Sequence, residues 1–411
     1  MKTEKKIAFI FLWRLNDWGL YKRRHEAFAR ELAERDCVQS VLHIEYVSLR
    51  GLLSLMLKWV KEKDRSLRRI YATHIKKGFS LRPVAADNSN KLFIYSAVFF
   101  YAGKNAPLKK ISDIAKRMQY GMLNRFFNDT EIRKVLLVYP PSKYFPEAIK
   151  SIKHDVLIAD LVDDDISRAV EPTKKMQLIE NYKNILPDCR WIFSTSPLFK
   201  ETYKEYAKQP IDYLPNGVDI KRYLERPQEN NHQRNEKKTI GYVGIMNKEV
   251  NMELLEYIIS RNKNIDFVLV GQATDERLKD IKGLTSVHKN LFYLGPKSHD
   301  EVLDFMEKCD VLINIKNNDH TTSGADAIKI YEYLATGKPI VASPMPPADR
   351  FAELMYVTAD KIQYSEFIKA ALAENDSELR RKRMKVAGDN TWDKRVDVIL
   401  ERVSHLTNMT N

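Results

Sequence analysis

One segment in the last third of the chain has residue types that suit the binding of a phosphorylated ligand. Lys329–Ala342 (KIYEYLATGKPIVA) predicts a helix that ends at Gly337, a Lys-Pro turn and then a buried strand. Lys329 and Glu332 are three residues apart and therefore share one face of that helix. A lysine neutralises phosphate, and the Glu332 carboxylate can accept hydrogen bonds from both hydroxyls of a ribose. The pattern predicts a nucleotide site; the alternative is an exposed Lys–Glu pair on a solvated helix.

The polar loop before this helix offers donors for the phosphates. Ser323–Asp326 (SGAD) leads directly into the helical pattern. The first N–H groups of a helix lack partners within the helix, and the helix dipole is positive at that end. We therefore expect Ser323 and Gly324 to lie against a diphosphate.

Two domains are expected to position these residues. A chain of 411 residues is too long for one ordinary core, so two domains of roughly 200 residues each are the natural division. Short apolar runs alternate with helical patterns, which indicates parallel sheets covered by helices. The predicted strands are Ile7–Leu12, Val41–Val47, Lys91–Ala97, Val135–Tyr139, Val156–Leu161, Trp191–Ser194, Thr239–Val243, Asp266–Val270, Leu291–Leu294, Val311–Ile315 and Pro339–Ala342.

The fold class predicted is α/β, with two doubly wound, Rossmann-like domains that face a cleft. The expected bounds are 1–212 for the first domain and 213–389 for the second, with 390–411 as a terminal helix that crosses back to the first. A charge-rich stretch at 226–238 (RPQENNHQRNEKK) is expected to be a linker or surface loop.

The first half of the chain contains three further candidate regions. Trp18 and Gly19 lie in a turn after the first strand, where a ligand loop and a plain strand–helix turn are both possible readings. His25 follows on the first predicted helix, where a structural role is the alternative to catalysis. Asp163 and Asp164 follow a buried strand at its carboxyl end, where α/β sites lie, and one of them is expected to act on the bound substrate. The alternative there is a helix capped by Asp165.

The charge balance favours an anionic partner. Lys and Arg number 68 against 55 Asp and Glu, a formal net charge of +13. The segment 49–77 combines an apolar run containing Trp59 with dense basic residues. It predicts either contact with an anionic membrane or an ordinary amphipathic helix. The apolar stretch Ile7–Leu12 is too short for a membrane span, and the three cysteines are widely spaced, so a cytoplasmic protein is expected. The inner face of the cell membrane is the alternative location within the cytoplasm.

Five segments resemble, in order, the motifs of retaining GT-B glycosyltransferases (glycosyltransferase family 4). They are Tyr213–Asp219 (YLPNGVD), Gly241–Gly244 (GYVG), Val268–Gly271 (VLVG), Phe292–Pro296 (FYLGP) and Lys329–Ala342. Each motif alone is weak, but the ordered set is specific. Ala159–Asp165 (ADLVDDD) and Asn390–Val396 (NTWDKRV) resemble a bacterial subgroup that makes cell-surface polysaccharides such as teichuronic acid.

The resemblance implies a transferase that moves a sugar from a nucleoside diphosphate sugar to a glycan or lipid-linked acceptor, with no metal or other cofactor. Glu332 would bind the ribose. Backbone N–H groups near Gly19 and Ser323 would stabilise the leaving diphosphate together with two lysines, Lys329 and Lys248. Further donor contacts would come from Asn216, Gly244, Gly271 and Gly295.

Two positions depart from the family pattern. Many relatives have a Glu eight residues before the ribose-binding Glu, where this chain has Gly324, and an Arg where it has Ile245. A catalytically degenerate GT-B scaffold subunit and a GT-B sugar-nucleotide epimerase therefore stay open as alternatives. A nucleic-acid-binding protein is disfavoured because no zinc-finger, RNP-like or helix-turn-helix signature is present, and a dehydrogenase because no strand is followed by GxGxxG.

Overall fold

The chain divides into two units. The computed structural model describes residues 6–19, 23–62, 65–80, 82–99, 106–140, 142–225, 237–317 and 324–409. The first unit is Met1–Leu214 together with Arg395–Asn411, and the second is Pro215–Lys394. Ser323 and nearly all of the expected linker at 226–238 lie outside the described residues.

The first unit is built on one sheet with the order β3-β4-β2-β1-β5-β6-β7-β8. Neighbouring strands are parallel, except that β3 runs antiparallel to β4. All seven residues of β1 (IAFIFLW) are buried, as expected for a central parallel strand covered on both faces. The strands are β1 Ile7–Trp13, β2 Val38–Ser48, β3 Val84–Ala85, β4 Leu92–Phe99, β5 Arg133–Val138, β6 Val156–Leu161, β7 Trp191–Ser194 and β8 Ile211–Tyr213.

Helices connect these strands, and most follow the apolar periodicity of the sequence. The described helices of this unit are α1 Arg24–Ala33, α2 Leu49–Lys61, α3 Arg65–Gly78, α4 Ala106–Phe126, α5 Phe145–Ser151, α6 Asp165–Arg168, α7 Pro172–Ile185 and α8 Pro197–Tyr203.

The second unit contains a fully parallel sheet with the order β11-β10-β9-β12-β13-β14. From β9 the chain proceeds outward to β10 and β11, and it then returns to β12 on the other side of β9. The strand order therefore reverses between β9 and β12. The strands are β9 Lys238–Val243, β10 Ile265–Val270, β11 Leu291–Tyr293, β12 Val311–Asn314, β13 Ile340–Ala342 and β14 Tyr356–Val357. The described helices are α9 Lys221–Leu224, α10 Met252–Arg261, α11 Asp275–Val287, α12 His299–Lys308, α13 Ile328–Thr336, α14 Pro346–Arg350, α15 Lys361–Ala373 and α16 Ser377–Asp389.

The terminal helix α17 (Trp392–Met409) begins in the second unit and continues in the first. Its Val396, Ile399 and Val403 are fully buried, while Leu400 is half-buried. The guanidinium of Arg133 donates to the carbonyl of Val403 at 3.2 Å, which ties the helix to β5.

The predicted α/β class with two mainly parallel sheets is confirmed. None of the helices within the described ranges is long and apolar enough to cross a membrane.

Candidate functional site

Lys329 of α13 lies on the carboxyl end of the central strand β9. Its ammonium nitrogen is 4.2 Å from the ring centroid of Tyr242 and 3.1 Å from the hydroxyl oxygen of that residue. Burial of the ammonium lowers the pKa of Lys329 to about 8, against the opposite effect of the Glu332 and Glu249 carboxylates. The two carboxylates offset only part of the effect of burial on the Lys329 ammonium, and a cation in such a setting suits an anionic ligand.

Three predicted glycines meet beside this lysine because they end adjacent strands. The amide of Gly244 donates to Val270 at 2.9 Å, and the amide of Gly271 donates to Gly295 at 2.9 Å. All three glycines have positive φ, between 72° and 142°. A Cβ on Gly244 would lie 2.4 Å from Lys329 Nζ, and one on Gly271 would lie 2.1 Å from the Gly244 carbonyl oxygen. Glycine is therefore required for the strand ends and the lysine to pack this closely.

Glu332 lies on the same helix, and the residue is half-buried. The Glu332 charge partly offsets the fall that burial causes in the pKa of Lys329. It also adds to the rise that burial causes in the pKa of Tyr223. The structure thus brings Glu332, Lys329 and the three glycines together at one edge of one sheet.

Asn216 fixes the loop that leads into α13. Its backbone N–H donates to the Asp326 carboxylate at 2.5 Å, and its side-chain amide donates to the Asp326 carbonyl at 2.6 Å. Tyr331 donates its hydroxyl to the same carboxylate at 2.8 Å. Asn216 was predicted to bind ligand; the bonds seen here orient the start of α13 through Asp326, a buried acid that sequence reasoning missed.

The second cation near Tyr242 is Lys316. Its ammonium forms a 2.8 Å ion pair with Glu249, and both side chains are largely buried. The charge of Lys316 opposes the rise that burial causes in the pKa of Tyr242, so the lysine and the tyrosine lie close together. The predicted Lys248 is exposed, and its carbonyl accepts from the Asn317 side chain at 2.8 Å. Gly324 is buried in the loop before α13.

In the first unit, carboxylates accept hydrogen bonds from the backbone N–H groups near Gly19 that were expected to bind a diphosphate. The amides of Asp17 and Trp18 both donate to Glu45 Oε1 at 2.8 Å. The amide of Gly19 donates to Glu26 at 2.9 Å. In this conformation the Trp18–Gly19 turn is held by the protein itself, and these three amides are not available to a ligand.

Glu45 lies at the centre of a buried polar cluster that the sequence pattern did not reveal. The side chain is fully buried, and burial raises the pKa of Glu45 to about 7 against the lowering effect of Lys77. Two residues of α3, Lys77 and His74, lie near the Glu45 carboxylate. Burial lowers the pKa of His74 to about 4. In the sequence Lys77 belongs to the run of basic residues within 49–77; in the structure its side chain is buried.

His25 is enclosed rather than open to a ligand. Its Nδ1 lies 2.8 Å from Nε2 of His43, and its ring stacks on Trp13 with centroids 3.9 Å apart. Burial, with a smaller contribution from His43, lowers the pKa of His25 well below its usual range. The ring is therefore neutral and packed, the environment of a structural histidine.

The three consecutive aspartates have separate partners. Asp163 pairs with Arg168 at 2.7 Å and with Arg14 at 3.4 Å. Asp164 caps α6 by accepting from the amide of Ser167 at 3.0 Å, and Asp165 pairs with Arg14 at 2.7 Å. The alternative interpretation, a cap at Asp165, is wrong by one residue, because Asp165 is already the first residue of the helix. The structure thus leaves a structural role for each of these acids beside the predicted catalytic one.

Comparison with known proteins agrees with this geometry. Residues 225–390 match the family of glycosyl transferases group 1. TuaH of Bacillus subtilis (strain 168), named as a glycosyltransferase of teichuronic acid biosynthesis, is 21% identical over 210 residues, which cover 49% of this chain and 53% of TuaH. The chain therefore spans about half the length of that curated relative.

Solved structures match over nearly the whole chain. Anabaena HepE in complex with UDP and glucose has a TM-score of 0.62 at 14% identity, over 96% of this chain and 99% of that one. A UDP-forming trehalose-phosphate synthase from Burkholderia vietnamiensis has a TM-score of 0.63 at 10% identity, over 97% and 99%. These likenesses identify the fold as GT-B. Residues 225–390, which contain Lys329 and Glu332, are thus similar in sequence to the group 1 glycosyl transferases.

Proposed function

We propose that this protein transfers a sugar from a nucleoside diphosphate sugar to a glycan or lipid-linked acceptor in the synthesis of a cell-surface polysaccharide, with retention of anomeric configuration. It would act in the cytoplasm, at the inner face of the cell membrane. The observation that carries the proposal is the meeting of Lys329 and Glu332 with Gly244 and Gly271 at the carboxyl edge of β9 and β10. The similarity to TuaH supports the polysaccharide role.

In this proposal Glu332 binds the ribose and Lys329 faces the diphosphate. Negative charge accumulates on the leaving diphosphate as the bond to the sugar breaks, so a cation fixed there stabilises the transition state more than the ground state. The bare Cα surfaces of Gly244 and Gly271 leave room for phosphate beside the lysine. Lys316 supplies a second positive charge, and its ion pair with Glu249 holds it in place.

A thermal-shift screen of the purified chain against UDP, GDP, ADP, CMP and dTDP tests the donor site. A ligand that binds the folded state alone stabilises it by mass action. Stabilisation by one nucleoside diphosphate, followed by release of that diphosphate from its sugar conjugate when acceptor extract is added, is the expected result. Binding without any turnover would favour the scaffold subunit, for which Ile245 and Gly324 in place of charged residues are the specific observations. No stabilisation by any nucleotide would remove the donor site.

The affinity for the diphosphate is expected to fall as the pH rises through about 8. Lys329 carries its charge below its pKa, which burial lowers to about 8, and loses the charge above it. Calorimetric titration from about pH 7.5 to about pH 9.5 measures the change. Lys329→Met should bind more weakly and lose the pH dependence. A wild-type affinity that is constant over this range would contradict the role of Lys329.

A further inference from the structure

Helix α2 presents a continuous apolar stripe to the exterior. Its five members are Leu49, Leu53, Met56, Leu57 and Val60, which we call the α2 face. Their spacing of three or four residues places them on one side of the helix. Leu57 is 64% exposed and Val60 is 66% exposed, and the five residues together form one contiguous apolar patch, unlike the single exposed apolar residues that are normal on a protein surface. A stripe of this kind, on a helix that is otherwise well formed, indicates a surface that is covered in use.

A neighbouring side of α2 packs on α3. Leu52 is 1% exposed and lies against Gly78, where an added Cβ would be 2.6 Å from the leucine side chain. Trp59 is half-buried, with the Arg68 guanidinium 5.0 Å from the centre of its ring. A shallow groove of about 240 Å³ between the two helices is lined by Trp59, Arg68, Arg69 and Ala72. The hairpin formed by α2 and α3 is therefore packed where its two helices meet, and the α2 face is not the side through which they pack on each other.

The charges within α2 and α3 are all of one sign, and Glu62 follows directly at the end of α2. Neither helix contains an Asp or a Glu. Exposed cations on the two helices are Arg50, Lys58, Lys61, Arg68, Arg69 and Lys76. Two copies of this surface would repel each other, which argues against self-association. Nucleic acid would match the charge but would leave five aliphatic side chains in water.

We propose that the α2 face inserts into the interface of an anionic phospholipid bilayer, with the surrounding cations on the headgroups. Aliphatic side chains in the acyl boundary and Lys or Arg at the level of the phosphates are the arrangement that a bilayer surface stabilises. The groove lined by Trp59, Arg68 and Arg69 lies where a lipid phosphate can meet two guanidinium groups.

Sedimentation of the full chain with phospholipid vesicles tests this surface. The chain should bind vesicles containing about 30% phosphatidylglycerol at about 50 mM salt, and bind far less to vesicles of phosphatidylcholine alone or at about 500 mM salt. The triple variant Leu53→Ser/Leu57→Ser/Val60→Ser should reduce binding about tenfold or more. Arg68→Glu/Arg69→Glu should remove the preference for anionic vesicles.

The matched control is Val170→Ser/Met176→Ser, which changes two residues of the same unit that are 86% and 70% exposed but lie outside the hairpin. This variant should bind vesicles as the wild type does. Thermal unfolding and the nucleotide-induced shift of all variants show that the units are folded, and separate this test from that of the donor site. Wild-type chain that stays in the supernatant, or binds neutral vesicles equally well, overturns the proposal. So does a wild-type dimer in light scattering that the triple variant converts to a monomer.

Discussion

Glu332→Ala is expected to weaken the binding of the stabilising nucleoside diphosphate about hundredfold, a loss of about 3 kcal/mol, because two hydrogen bonds from ribose hydroxyls to a carboxylate are lost. The folded state itself should change little, since Glu332 is only half-buried and lies on a helix that alanine favours. Calorimetric titration of wild type and variant gives the ratio directly. The thermal shift produced by the same nucleotide should vanish at ligand concentrations that stabilise the wild type.

Glu253→Ala is the matched control, since it removes an exposed glutamate near the start of another helix of the same unit, α10. Its affinity for the nucleotide should equal that of the wild type. Glu332→Gln keeps one acceptor oxygen and should fall between the two. An unchanged affinity in Glu332→Ala would show that the nucleotide, if it binds, lies elsewhere.

Gly271→Ala is expected to destabilise the second unit by about 4 kcal/mol. The added Cβ would lie 2.1 Å from the Gly244 carbonyl oxygen and 2.7 Å from its carbon, both backbone atoms that cannot rotate away. The residue also has φ of +137°, a conformation that alanine rarely adopts. Relief of the clash would move Gly244 and the lysine beside it, so nucleotide affinity should fall with stability. Urea unfolding followed by a probe in this unit measures the first effect.

Alanine substitutions at two other glycines serve as controls for the Gly271→Ala result. Gly295→Ala meets no atom within 4 Å but has φ of +72°, so it should cost only about 1 kcal/mol. Gly283→Ala, inside α11 with open space around it, should stabilise by about 0.5–1 kcal/mol. Equal effects in all three variants would show that the contact between Gly271 and Gly244 does not matter.

Sequence reasoning located the sheets well because central parallel strands are short, mainly apolar runs. The strands Val156–Leu161 and Trp191–Ser194 have the predicted bounds. The edge strands β3, β8 and β14 were missed, since two or three residues carry no periodicity to read.

Pairings between distant elements could not be read from the chain. The Lys77 ammonium looks like one more cation in a basic run until α3 is packed on the sheet beside Glu45. In the same way Arg24 binds Asp160 with two hydrogen bonds, although 136 residues separate them, while the adjacent Asp163 and Asp164 attracted the prediction. The Lys329–Glu332 pair was accessible because its spacing lies within one helix.

The polar cluster around Glu45 has a consequence for how the first unit tolerates acid. His25, His43 and His74 are buried with lowered pKa, so each withdraws stability as the pH falls below its unfolded value of 6.5. Glu45 has the opposite sign. Its pKa is raised from 4.5 to about 7, so its contribution to stability is complete below 4.5 and is lost as the pH rises through 7. Across the mildly acidic range, the proton that Glu45 gains on folding therefore offsets one of the protons that the histidines give up. Glu45, which orders the turn after β1, therefore also reduces the loss of stability that the buried histidines cause in mild acid.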